Sequence, residues 1–215
     1  MLRVMEQGDE TAVPVCPTAA VRAPLRWPER VRAVQDTAGR TGFTLAAIAA
    51  AGAAWWGGRS WATPAFVLVA AAGTLVAVVD VRTHRLPDAV VLPTWAATVT
   101  LLGTVALATG DLKQLALTLT GSALAFGAYA TLRLAYPPGL GFGDVKLAGL
   151  LGAPLAWLGW AELGLGLMLP FVLGGAWAVG LLLMGRARRD TAVPFGPFMV
   201  LGAVLACIDV TQIAW

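Results

Sequence analysis

A chain of 215 residues with 58% hydrophobic and only 13% charged side chains has too little polar surface to cover a water-soluble globule, since soluble domains carry about 25% charge. Its mean hydropathy of +0.75 makes lipid the solvent, and apolar runs that are continuous instead of alternating argue against a transmembrane barrel. The net charge of +3 comes from basic residues scattered between those runs, which argues against a phosphate-binding patch and against nucleic acid as a partner.

Residues 1–40 are polar and basic, with Arg3, Arg22, Arg26, Arg30, Arg32 and Arg40. They lack the short apolar core and small-residue cleavage site of a signal peptide. Two readings stand equally. Either Pro28 opens a short helix through Gln35 that lays Trp27 and the arginines on a lipid headgroup surface, or the segment is an unstructured tail. Apolar runs follow, and the pattern predicts helices at about 41–57, 62–80, 88–109, 112–135, 145–160, 163–184 and 196–214. The fold class is therefore an all-α polytopic membrane bundle of about seven transmembrane helices, with residues 41–215 as one transmembrane domain. The Gly and Ala content of the runs favours close helix packing. Residues 145–160, with Pro154 inside, make a short span expected to be tilted, kinked or shielded by its neighbours.

Orientation follows from Lys and Arg. With a cytoplasmic N-terminus, the inside segments 1–40, 80–88, 133–146 and 185–195 hold 6, 2, 2 and 3 basic residues, or 13 of 15. Only Arg59 and Lys113 lie outside. The bias predicts a multi-pass protein of the cytoplasmic (inner) membrane with its N-terminus inside and its C-terminus outside.

That topology, drawn without reference to acidic residues, puts Asp80 and Asp144 on the same face. Asp80 ends the run Ala70–Val79, where a solvated carboxylate leaving the membrane would be ordinary. Asp144 follows Gly141-Phe142-Gly143, whose glycines can take positive φ and let the backbone turn sharply. There a charge at a helix N-terminus would also be ordinary. Together the two carry more weight, because carboxylates beside hydrocarbon are expensive. Brought close they share a proton, so one can activate a water while the other protonates a carbonyl or leaving group. The helix dipole disfavours charge at Asp80 and favours it at Asp144, so Asp144 is expected to be the ionised base and Asp80 the protonated acid.

At these residues the chain resembles the type IV prepilin peptidases, membrane aspartyl proteases of the Gly-x-Gly-Asp class. The matching pieces are Asp80 with the Arg-Leu-Pro-Asp of residues 85–88, then Gly141-Phe142-Gly143-Asp144-Val145-Lys146-Leu147, then Pro194-Phe195-Gly196-Pro197-Phe198 at the start of the last helix. The resemblance covers about residues 60–215. It implies that Asp80 and Asp144 are the catalytic pair and that Gly141, Gly143 and Lys146 shape the active-site turn. It also implies a substrate class of prepilin or pseudopilin precursors, each with a basic leader, a glycine before the cut and a hydrophobic helix after it. Besides the substrate, membrane lipids are the expected partners. Pro194–Phe198 would be part of a substrate groove or simply a rigid helix entry. Many bacterial members have an extra cytoplasmic domain with paired Cys-x-x-Cys motifs, associated with N-methylating the product. This chain has neither the motif nor an insertion to hold it, so cleavage without methylation is expected, with no zinc and no organic cofactor.

Other polar residues have plainer expectations. His84 belongs to a solvated basic loop, and Asp88 caps the helix that starts there. Lys146 either snorkels to the interface or pairs with an active-site carboxylate. Glu162 lies in an outer turn and Asp209 toward the outer side. Cys16 and Cys207 have no partner at ligand or disulfide distance in sequence. Tryptophans 55, 56, 61, 157, 160 and 215 form an interfacial belt, and Trp95 and Trp177 pack within runs. Two competing readings remain: a proton-coupled transporter with Asp80, Asp144 and Asp209 as a relay, and the signal-peptide-peptidase branch of the same chemistry. That branch carries a Pro-Ala-Leu motif absent here, and a carrier would be expected to show an inverted repeat, which is not visible.

Overall fold

Every predicted run is a helix, and the places where the boundaries differ have local causes. The structure, a computed structural model, describes residues 26–137, 140–185 and 194–213. The helices are α1 (Trp27–Gly57), α2 (Thr63–Thr83), α3 (Asp88–Thr109), α4 (Leu112–Ala135), α5 (Phe142–Leu158), α6 (Trp160–Leu183) and α7 (Gly196–Ile213). Cys16, the basic residues Arg186, Arg188 and Arg189, the side chain of Asp209 and Trp215 lie outside the described residues. Helices α2, α3, α4 and α6 are each long and apolar enough to cross a membrane, so the chain is a multi-pass membrane protein with an all-α bundle.

The largest boundary difference is at the start. Pro28 does open a helix, with Glu29 Oε2 accepting from the Arg26 N–H at 2.8 Å. That helix does not stop at Gln35 but continues to a break at Gly39, where φ is +58° and ψ −174°, and α1 resumes beyond it. Only glycine takes this conformation cheaply. The Arg82 guanidinium of α2 stitches the break. It donates to the carbonyls of Thr37 and Ala38 on one side and to the Thr41 hydroxyl on the other. Val34 and Ala38 are buried against Val79, so this polar first stretch of α1 rests on α2 beside Asp80.

Helix α5 is the centre of the bundle. Residues Leu147 through Ala156 are all buried, so the short helix with Pro154 is the one shielded by its neighbours. Its closest partner is α4, and small residues set the approach. Gly121 and Gly152 face each other with backbone in contact, and a Cβ built on Gly121 would fall 2.0 Å from the Ala156 Cβ. A buried chain of hydrogen bonds crosses the same seam: Trp95 Nε1 donates to Ser122 Oγ, which donates to the Gly149 carbonyl, both at 2.8 Å. Trp95 is thus a packing residue as expected. Trp177 instead stands 56% exposed, with its ring centroid 6.5 Å from that of Phe198.

Candidate active site

The three separated motifs converge at one end of the bundle. Asp80 occupies the last turn of α2 and is 3% exposed; Asp144 is the third residue of α5 and is 5% exposed. The two carboxyl groups lie within electrostatic range of each other. Each is held by one backbone N–H. Asp80 Oδ2 accepts from Gly196 N at 2.9 Å, and Asp144 Oδ2 accepts from Gly141 N at 2.9 Å. The second bond is the reverse half of a capping box, in which a third-position carboxylate satisfies an N–H at the helix start. Asp144 Oδ1 is buried with no protein partner, which leaves one oxygen free to take a hydrogen bond from a water or substrate.

The glycines matter for space, and neither uses the positive φ open to it. Gly141 is extended, at φ −75° and ψ 152°, and Gly143 is already helical. A Cβ on Gly143 would sit 2.7 Å from the Leu86 Cβ, and one on Gly141 3.1 Å from Asp144 Oδ2. The Gly-x-Gly spacing therefore lets the Arg-Leu-Pro-Asp segment lie directly on the start of α5. Gly196 plays the same part for the other carboxylate, since a Cβ there would meet Asp80 Oδ2 at 2.9 Å and the Asp80 Cβ at 3.3 Å.

Asp88 is not the cap of α3: the N-cap position falls on Pro87, without a side-chain cap bond. Its carboxylate instead accepts from Lys146 Nζ at 2.7 Å, and the same ammonium lies 5.0 Å from the centroid of the Phe142 ring. Lys146 thus pairs with Asp88, joining the second motif to the first, and not with the aspartate pair. His84 ends α2 in the left-handed region at φ 51° and is exposed, its N–H donating to the Asp80 carbonyl at 2.7 Å. Glu162 lies in the first turn of α6.

Of the Pro194–Phe198 turn, Gly196 touches the carboxylate directly, while Phe195 packs on Phe171 and Tyr129. Tyr129 escaped the reading of the sequence. It is 2% exposed, donates its hydroxyl to the Leu167 carbonyl at 3.0 Å, and lies within electrostatic range of Asp144. The available signal was a tyrosine in mid-run, where a hydroxyl in hydrocarbon needs a partner. Among the described residues no cluster of three or more potential metal ligands occurs.

Comparison with known proteins bears on the same region. The model of the type IV leader peptidase family matches residues 66–179, a span that includes Asp80 and Asp144. The prepilin leader peptidase/N-methyltransferase of Stutzerimonas stutzeri is 31% identical over 166 residues, which are 74% of this chain and 54% of that protein. The protein of the same name from Pseudomonas aeruginosa is 29% identical over 166 residues, again 74% and 54%. That from Burkholderia pseudomallei strain 1026b is 35% identical over 160 residues, 73% of this chain and 49% of the relative. The chain spans about half the length of these curated relatives. No solved structure matches it. With the matched span covering more than half of the chain and both buried aspartates, the chain belongs to the type IV leader peptidase family.

Proposed function

We propose that this protein is a membrane aspartyl endopeptidase that removes the basic leader from prepilin-like or pseudopilin-like precursors at the cytoplasmic face of the inner membrane. The observation that carries the proposal is the pair of buried carboxylates, Asp80 and Asp144, supplied by two helix ends and each fixed by one backbone N–H. In the proposed reaction, Asp144 Oδ1 accepts a proton from a water as that water attacks the scissile carbonyl carbon. Asp80 gives its proton to the carbonyl oxygen. As the tetrahedral intermediate collapses and its C–N bond breaks, Asp144 passes its proton to the leaving amine, a hydroxyl of the intermediate returns one to Asp80, and the leader ends in a carboxyl group. The helix dipole is the ground for assigning Asp144 as base and Asp80 as acid.

Residues 41–215 form the peptidase domain in this reading, and residues 1–40 a basic cytoplasmic segment, with the N-terminus inside and the C-terminus outside. Membrane lipid is the surrounding partner, and nucleic acid is not one. The curated relatives carry N-methyltransferase in their names as a second activity. Cleavage alone, without a metal or organic cofactor, is the activity proposed for this protein.

The test is cleavage of a purified precursor by the protein in detergent micelles, where no ion gradient exists. A product cut after the leader is expected; a carrier with an aspartate relay would give none. Lys146→Gln is expected to reduce that cleavage by less than tenfold, because Lys146 Nζ is engaged by a half-exposed Asp88 at 2.7 Å and such pairs contribute about 1 kcal/mol or less. A loss as large as that from removing an aspartate would return Lys146 to the catalytic machinery.

A further inference from the structure

Below the aspartate pair the bundle is not closed. Helices α1 and α7 both pack against α2, yet among the described residues their backbones nowhere approach within 8 Å between Cα atoms. The gap between them is an apolar cavity of ≈ 400 Å³, with α2 and α5 as its floor. Small residues, Ala49, Gly52 and Ala53, line its α1 side, and Val200, Ala203 and Val204 its α7 side. A Cβ built on Gly52 would meet nothing within 4 Å, and Val204 on the opposite lip is 46% exposed. Further toward the cytoplasm α1 closes onto α2, where Gly42 fits against Leu75 and Val78. The cleft lies between two helices on the apolar flank of the bundle, and its lining is almost wholly apolar.

Its position relative to the catalytic pair is what assigns an occupant. Two of the helices that line the cleft, α2 in its floor and α7 on its side, are the ones whose ends join at the Asp80–Gly196 bond. Along α2 the lining begins at Thr74, six positions before Asp80; along α7 it runs from Val200 to Ile208, four to twelve positions after Gly196. At about 1.5 Å per helical residue, the lining lies roughly 6 to 18 Å along α7 from the level of the carboxylates. A helix entering the bilayer from the cut would pass that depth with about its fourth to twelfth residues.

We propose that this lateral cleft between α1 and α7 seats the apolar helix that follows the scissile bond, and so sets which peptide bond reaches the aspartates. The proposal rests on the peptidase reading above. Small side chains on the α1 lip, Ala49, Gly52 and Ala53, let a helix approach closely, as small-residue interfaces do in membranes. The precursor enters from the lipid between α1 and α7. The depth at which its helix seats holds the extended residues before it against Asp80 and Asp144.

Photo-cross-linking in intact membranes tests this. In an Asp144→Asn background, which leaves the precursor uncut, a benzoylphenylalanine photoprobe replaces Ala53 or Val204, and in control proteins the lipid-facing Leu124 or Val172. Enzyme–precursor adducts are expected from the two cleft positions, mapping about four to twelve residues after the cut, and at least tenfold less from the controls. Equal yields from cleft and control positions, or lipid adducts alone at the cleft, would overturn the proposal. As a second measure, Val204→Trp narrows the cleft and should raise KM at least tenfold with kcat changed less than threefold; an unchanged KM counts against it. Wild-type cleavage of the same precursor in the same membranes is scored separately, and its failure would remove the peptidase reading itself.

Discussion

Asp80→Asn and Asp144→Asn are each expected to lower precursor cleavage by about 10³-fold or more, at unchanged abundance in the membrane. Asparagine is the informative replacement because its side-chain carbonyl can still accept the Gly196 or Gly141 N–H now bound at 2.9 Å. The local fold is kept while the proton cycle is lost. Alanine would also strip the acceptor and leave a buried N–H unpaired, at a cost of about 1–3 kcal/mol, so a fall in activity would be mixed with a fall in stability. Two groups that act as one unit lose their effect together, so the double Asn variant should be no worse than either single one. Full cleavage by either Asn variant at normal abundance would remove that residue from the mechanism. Site-resolved carboxyl titration is expected to find the shared proton chiefly on Asp80; a proton held chiefly on Asp144 would reverse the assigned roles, though not the pairing.

Both aspartates were legible because a charge beside hydrocarbon stands out in a run such as Ala70–Val79, and because the pattern of basic residues predicted one face for the two. The helices were legible for the same reason, since apolar runs in lipid must satisfy their backbone internally. What escaped notice depends on contacts between distant segments. The pattern marked Gly141 and Gly143 as glycines but could not say that Leu86 would lie 2.7 Å from a Cβ on the second, and the positive φ open to both goes unused. Asp88 stands where a cap is common, yet Lys146, 58 residues on, takes it. The continuation of α1 past Gln35 depends on Arg82 reaching across to the break at Gly39, a pairing that no local propensity encodes. Tyr129 was hidden because its importance lies in Phe195, Leu167 and Asp144, each from a different segment of the chain.

Gly152→Val is expected to destabilise the protein by about 3 kcal/mol, near the upper end of typical overpacking costs, and to reduce cleavage with it. The reason is the α4–α5 seam. A Cβ on Gly152 would lie 2.5 Å from the Ala125 Cβ and 2.8 Å from the Gly121 carbonyl oxygen. A backbone atom cannot rotate away as a flexible side-chain tip can, so the two helices must separate. Separation pulls Gly149 from the Ser122 hydroxyl, now at 2.8 Å, and loosens the Trp95 N–H bond to the same oxygen. It also shifts α5, which carries Asp144 in its first turn, so a change some eight residues away would be felt at the carboxylate pair. Gly127→Ala on α4 is the control, because a Cβ there meets nothing within 4 Å and alanine favours the helix; it should match wild type or exceed it slightly. Denaturation in detergent, read together with cleavage per folded molecule, separates the two effects. If Gly152→Val unfolded at the same point as Gly127→Ala, the small-residue seam would not be what holds the Asp144 helix in place.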